Sequence, residues 1–295
     1  SIVTTIFPEY DWVREILGEK ADNAEITMLL DNGVDLHSYQ PTADDIVKIS
    51  DCDLFIYVGG ESDEWVEDAL RNAANRNMKV INLLEVLGDS VKTEEIVEGM
   101  QEEEHEHEDV EEHEHEEEAD EHVWLSLKNA KMLVRVISKA LQELDPDNKD
   151  IYAANADAYV KKLSALDAEY QAAVDAASNK TILFGDRFPF RYLVDDYGLR
   201  YYAAFVGCSA ETEAGFETIS FLAKRVDEWK LPCVLTIEGA QHKIAETVVR
   251  NTTAKNQRVL TMDSMQSTTS KDVKNGTTYL SVMEKNLSVL KEALR

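Results

Sequence analysis

The sequence carries no glycine fingerprint for phosphates or dinucleotides: "VGGES" and "GDRFPF" fit neither the Walker nor the Rossmann spacing. It also lacks the G-x-S-x-G elbow of serine hydrolases and the H-E-x-x-H pair of zinc proteases. No hydrophobic run approaches the length that spans a bilayer. Cysteine is scarce. Cys52, Cys208 and Cys233 have no metal-type spacing, and their odd count weakens a disulfide framework, although a Cys208–Cys233 pair stays open in an oxidising compartment. Cys52 lies beside the apolar run "LFIYVG" and reads as a small core residue. Basic residues are also few, with 30 Lys and Arg against 58 Asp and Glu and a net charge of −28. That balance argues against nucleic acid and against anionic lipid head groups, which both demand positive charge. The chain begins "SIVTTIFP", without Met or a signal sequence, as a chain whose secretory leader has been removed would begin.

What is present is a globular pattern. Hydrophobic residues make up 44% of 295 residues, a length that suits two domains. Over the first 90 residues, strand signals ("SIVTTIF", "AEITMLL", "DLFIYVGG", "KVINLL") alternate with helical ones, among them "EYDWVREILGEK" with Gly18 as a stop. "TADDIVKISDC" reads as a capped helix, and "SDEWVEDALRNAANRN" as a helix with Ser62 as its cap. Strands separated by helices of this size imply a parallel sheet covered on both faces. "SLKNAKMLVRVISKALQELDP" is a further amphipathic helix, and the pattern from Asp147 to Ser178 is helical for roughly eight turns. From Lys180 the strand–helix rhythm restarts and runs to the closing helix "GTTYLSVMEKNLSVLKEAL". The expected architecture is therefore α/β with two lobes, each a parallel sheet covered by helices, joined by a long rigid helix. The boundaries expected are 1–145 for the first lobe, 146–178 for the long helix and 179–295 for the second lobe. Such a helix should restrict closure to a small shear or tilt.

Between Glu102 and Glu121 lie fourteen acidic residues and no Lys or Arg, so this stretch carries half of the net charge. His105, His107, His113 and His115 are inside it and His122 ends it. Residues 101–121 are expected to stay outside the fold as an extended, self-repelling loop that collects metal weakly, or serves no purpose at all. His37 and His242 stand alone. His37 lies in a polar turn after "AEITMLL", hence at the carboxyl end of a parallel strand, where open α/β sheets place their ligand sites. Asp263, in "LTMDSMQS", holds the equivalent place in the second half. His122 precedes the apolar pair Trp124-Leu125 at the start of a helix. Taken singly, these read as a solvent-facing histidine, a turn-capping aspartate and the last member of an acidic tract. Taken together, they occupy strand and helix ends expected to face one cleft between lobes.

At these residues the chain resembles the metal-specific substrate-binding proteins of bacterial ABC transporters, which capture zinc or manganese outside the membrane. "IVTTIFPEYDWVREILGEKA" resembles the family's opening strand and helix, and "DNGVDLHSYQPTADDIVKISDCDLFIYVGG" its first ligand segment, matching His37. "DEHVWLSLKNA" resembles the segment usually written D-P-H-x-W-L-D-P, matching His122, and "LTMDSM" resembles L-D-P-L, matching Asp263. The tract before His122 looks like the histidine-rich loop of zinc-binding members. The resemblance covers nearly the whole chain. It implies an extracytoplasmic receptor, periplasmic or lipid-anchored, expected as a monomer and not as an enzyme, which delivers a metal ion to an integral membrane permease.

One position departs. The family's third ligand, His or Glu, precedes a helix that matches "PFRYLVDDYGL", which puts Arg187 in its place. A guanidinium has no free lone pair and cannot coordinate a cation. Either three protein ligands and a water suffice, or Asp186 or His242 moves in, or Arg187 binds an anion or a carboxylate such as Glu211 or Glu213. The favoured set is His37, His122 and Asp263, completed by Asp186. Two imidazoles with carboxylates suit Zn²⁺, with Mn²⁺ as the alternative cargo, and Cu²⁺ and Ni²⁺ are not excluded. Two rival classes stay open: a zinc hydrolase with Glu238 as base, and a metal buffer or adhesin in which the acidic tract does the binding.

Overall fold

The computed structural model describes residues 1–101, 118–239 and 242–295. Among them the chain forms two compact units, each assembled from separated stretches. The first comprises Ser1–Val91, Val123–Glu169 and Met265–Glu284, and the second Lys92–His122, Tyr170–Ser264 and Lys285–Arg295. The expected boundaries follow order along the chain, whereas these units follow compactness in space. The difference is clearest at 92–122, which packs with the second sheet although it precedes it.

The first unit is built on four parallel strands, β1 (Ile2–Thr4), β2 (Ile26–Met28), β3 (Leu54–Tyr57) and β4 (Lys79–Asn82), in the order β2-β1-β3-β4. Helix α1 (Phe7–Leu17) ends at Gly18, whose φ of 56° suits a residue without Cβ. Helix α2 (Ala43–Asp51) starts at a Thr42 capping box with Asp45, of a kind worth about 1 kcal/mol. Helices α3 (Trp65–Arg71) and α4 (Leu83–Leu87) follow β3 and β4. Ser62 does not cap α3 as expected. It lies in a 3₁₀ turn, Glu61–Asp63, that intervenes before the helix.

Helix α5 (Leu127–Leu144) is capped by Ser126, whose Oγ accepts the Asn129 N–H at 3.1 Å. A 3₁₀ turn, Val123–Leu125, separates His122 from that cap, so His122 lies before the helix rather than at its start. The core gathers α1, this turn and the start of α11 (Tyr279–Ala293) around Trp12 and Tyr279, whose rings meet edge-on at 5.2 Å. The Tyr279 hydroxyl donates to the Trp124 carbonyl at 2.6 Å, and its N–H donates to Asp11 Oδ2 at 2.9 Å. Burial raises the Asp11 carboxyl to about 7, more than the Tyr279 N–H lowers it.

The long helix is present as α6 (Lys149–Ala176), 28 residues or about 42 Å at the α-helical rise. The second unit repeats the sheet order as β6-β5-β7-β8, again all parallel, with β5 (Thr181–Phe188), β6 (Arg200–Val206), β7 (Cys233–Thr236) and β8 (Arg258–Thr261). Helices α7 (Arg191–Tyr197), α8 (Phe216–Trp229) and α9 (Lys243–Asn251) connect them, and α10 (Ser270–Lys274) belongs to the first unit. Leu183, Ala204, Leu222, Val226, Val234 and Val248 form part of the second core. Both sheets thus have the parallel, helix-covered form read from the sequence. In each, the strand order reverses beside the first strand, and chemistry collects at the carboxyl ends there.

Candidate metal centre

The carboxyl edge of the second sheet presents four segments in turn. Asp186 and Arg187 lie near the end of β5, where the pairing with β6 shifts register between Phe184 and Arg187. Gly207, Cys208 and Ser209 follow β6, Glu238 follows β7, and Asp263 follows β8. Against this edge packs the chain that flanks the acidic tract. Thr93 and Ala119 form an antiparallel bridge, supported by Glu94 N–H to Glu118 O at 2.9 Å and Asp120 N–H to Lys92 O at 2.8 Å. The Tyr192 hydroxyl donates to the Asp120 carbonyl at 2.6 Å, and Gln101 N–H donates to Ala204 O at 2.9 Å.

These contacts correct one expectation. Gln101 and residues 118–121 belong to the fold, and Asp120 and Glu121 are buried. A run of carboxylates read by composition hides two that are held by backbone pairing. The rest of the tract, with its four histidines and the extended loop expected of it, lies outside the described residues.

His122 is fully buried. Its Nδ1 and its backbone N–H both meet Asp120 Oδ1 at 2.9 Å. A carboxylate only accepts, so Nδ1 carries the proton and Nε2 presents its lone pair, the arrangement that orients a metal-binding imidazole. The ring lies against Gly207: a methyl group added there would sit 2.8 Å from His122 Cε1 and 2.9 Å from Phe188 O.

The next residue, Cys208, brings its Sγ within 4.8 Å of the His122 ring nitrogen. Its N–H donates to Glu94 Oε1 at 3.1 Å. Burial, reinforced by Glu94 and then by Glu121 and Asp120, pushes the thiol far above its ordinary range. All three cysteines are free thiols, so the Cys208–Cys233 pair left open by the sequence is not formed. Cys208 is the group that sequence reasoning missed. Its signal was its place two residues past a parallel strand, the same rule that picked out His37 and Asp263.

Arg187 Nη1 donates to the Ser209 carbonyl at 3.5 Å, so the guanidinium meets the turn that carries Cys208. Asp186 Oδ1 accepts the Arg187 N–H at 2.9 Å, and Oδ2 accepts the Ile237 N–H at 3.3 Å. Burial raises its pKa despite these donors. His242 precedes α9, and its Nδ1 is buried with no hydrogen-bond partner among the described residues. Asp263 is clamped through its backbone: its N–H donates to Asn286 Oδ1 and its carbonyl accepts from Asn286 Nδ2, each at 2.8 Å. Glu238 accepts the Ser264 N–H at 2.7 Å and the Ser264 hydroxyl at 2.8 Å, one on each oxygen. Mutual groupings of three His, Cys or carboxylate donors do not include Asp186 or Asp263 among the described residues.

His37 belongs to the first unit, in a 3₁₀ turn, Leu36–Ser38, beyond β2. Asp35 caps the turn by accepting the His37 N–H at 3.0 Å, and Nδ1 lies 2.8 Å from Ser62 Oγ. Ser62, read as a helix cap, is instead the ring's orienting partner.

The profile described as "Zinc-uptake complex component A periplasmic", ZnuA, matches residues 2–293. The chain belongs to the ZnuA family. Among its relatives, the zinc-binding lipoprotein AdcA of Streptococcus pneumoniae serotype 4 is 33% identical over 292 residues, which span 99% of this chain and 55% of AdcA. The chain thus spans about half the length of the curated relatives it matches first. The high-affinity zinc uptake system protein ZnuA of Bacillus subtilis is 31% identical over 293 residues, 99% of this chain and 87% of that protein. The crystal structure of the Zn(II)-bound ZnuA-like domain of the pneumococcal AdcA superposes with a TM-score of 0.75 at 30% identity, covering 99% of this chain and 98% of that domain. A ZnuA-family fold therefore runs through the whole chain, as the resemblance of its motifs implied.

Proposed function

We propose that this chain is an extracytoplasmic zinc receptor that hands the ion to the permease of an ABC transporter. The observation that carries the reading is His122, a fully buried imidazole whose Nδ1–H is taken by Asp120, so that the ring's lone pair is on Nε2. His37, with Nδ1 held at Ser62, supplies a second imidazole in this reading, and Asp263 and Asp186 supply carboxylates. Family relatives that bind or take up zinc support zinc as cargo ahead of manganese. Relatives named as lipoprotein or periplasmic component support a place outside the cytoplasm, lipid-anchored or free. Among the described residues no helix is long and apolar enough to cross a membrane.

A receptor fits better than a hydrolase, because Glu238, the base a hydrolase would use, has both oxygens engaged by Ser264. The test is competition with a chelator. Replacing His37 and His122 together by alanine should lower zinc affinity by more than about a thousandfold, since each imidazole is a ligand rather than its support. Unchanged affinity in that double variant overturns the reading.

A further inference from the structure

We propose that Cys208 supplies a thiolate to the same ion that His122 binds, in the role that Arg187 cannot fill. The proposal rests on the zinc-receptor reading and puts Cys208 in the place given there to Asp186, whose two oxygens accept the Arg187 and Ile237 N–H groups. Three observations carry it.

The first is distance. Sγ of Cys208 and the nearest ring nitrogen of His122 lie within 4.8 Å. Sulfur and imidazole nitrogen bound to one tetrahedral zinc ion stand about 3.6 Å apart, given bonds of about 2.3 and 2.0–2.1 Å.

The second is support on both sides of the sulfur. Gly207, the residue before Cys208, lies against the His122 ring with no room for a Cβ. Cys208 N–H is held by Glu94, and Ser209 is buried with its N–H on the Val206 carbonyl at 3.3 Å. Arg187 then reaches the Ser209 carbonyl. The residue that replaces the family's ligand thus secures the turn that brings a different ligand forward.

The third is charge. Glu94 Oε1 accepts the Cys208 N–H, and Asp120 and Glu121 are buried in the stretch that ends in His122. Buried carboxylates favour a divalent cation beside them. Coordination breaks the S–H bond, the electron pair stays on sulfur and forms the metal–sulfur bond, and one proton leaves to solvent.

A thiolate makes the site softer than a set of imidazoles and carboxylates. It favours Zn²⁺ and Cd²⁺ over Mn²⁺, so Cys208 would set the choice of cargo as well as its affinity. The plain competitor is a cysteine that only fills space beyond a strand end, which predicts none of the following.

The experiment is titration of the metal-free full chain with Co²⁺, followed by zinc competition on the wild type, Cys208→Ser and Cys208→Ala. The expected result is an intense sulfur-to-cobalt charge-transfer band at one equivalent, lost in both variants. The acidic tract contains no cysteine, so it cannot produce that band. Zinc affinity should fall by more than about 100-fold in both variants, beyond the range for a supporting residue, while the melting temperature of the metal-free protein stays unchanged. A wild type that binds one zinc ion tightly yet shows no thiolate band overturns this proposal and leaves the receptor reading standing. Persistence of the band in Cys208→Ser overturns it as well. A wild type with no tight site at all removes the receptor reading and this proposal together.

Discussion

Asp120 holds His122 twice, because one carboxylate oxygen meets both the ring Nδ1 and the backbone N–H, each at 2.9 Å. The pair fixes the tautomer and the orientation of a fully buried ring. Asp120→Ala removes both bonds and lets the ring turn. Zinc affinity should then drop by about 10–100-fold, measured by chelator competition, with one site retained. An affinity within twofold of wild type would show that Asp120 plays no orienting part.

Gly207 is tested by adding a single methyl group. Gly207→Ala forces a Cβ to within 3 Å of both the His122 ring and the Phe188 carbonyl, and the carbonyl belongs to the backbone of β5. The strain should cost about 1–3 kcal/mol of stability, read as a lower melting temperature, and should weaken zinc binding as the ring is displaced. A variant with native stability and native affinity would mean that ring and turn are not in contact.

Asp11 predicts a dependence of stability on pH that is separate from metal. Burial lifts its carboxyl from 3.8 to about 7, so the unfolded chain ionises first as pH rises. The folded state therefore loses stability between about pH 4 and 7, by up to about 4 kcal/mol, and the loss stays constant above that. Asp11→Asn keeps an oxygen to accept the Tyr279 N–H without the charge. It should raise the melting temperature by several degrees at pH 8 and change it little at pH 4. Equal shifts at both pH values would contradict the account.

The elements were legible in the sequence where local chemistry decides them. Thr42 with Asp45, Gly18 after α1, Ser126 before α5 and the length of α6 all act within a few residues of themselves. The candidate site was legible only in part. His37, His122 and Asp263 stood out because strand ends and family motifs mark them. Ser62 was read as a cap because serine before an acidic turn caps helices, yet its partner is a ring 25 residues away. Asp120 looked like one more carboxylate in a charged run until pairing with residues 92–94 fixed it. Cys208 stood two residues past a strand, but His122 is distant in sequence, and the backbone bond from Gln101 to Ala204 of β6 joins the two stretches only in the fold. Pairings across such separations leave no periodic trace in the chain.

The most direct test of the central claim is zinc competition on a chain lacking residues 102–117, a deletion that keeps the antiparallel bridge at Thr93 and Ala119 and the Asp120–His122 pair. A receptor should retain one tight site with an affinity close to wild type and lose only weak binding. Loss of tight binding with the tract would show that the acidic run, and not the folded centre around His122, holds the metal.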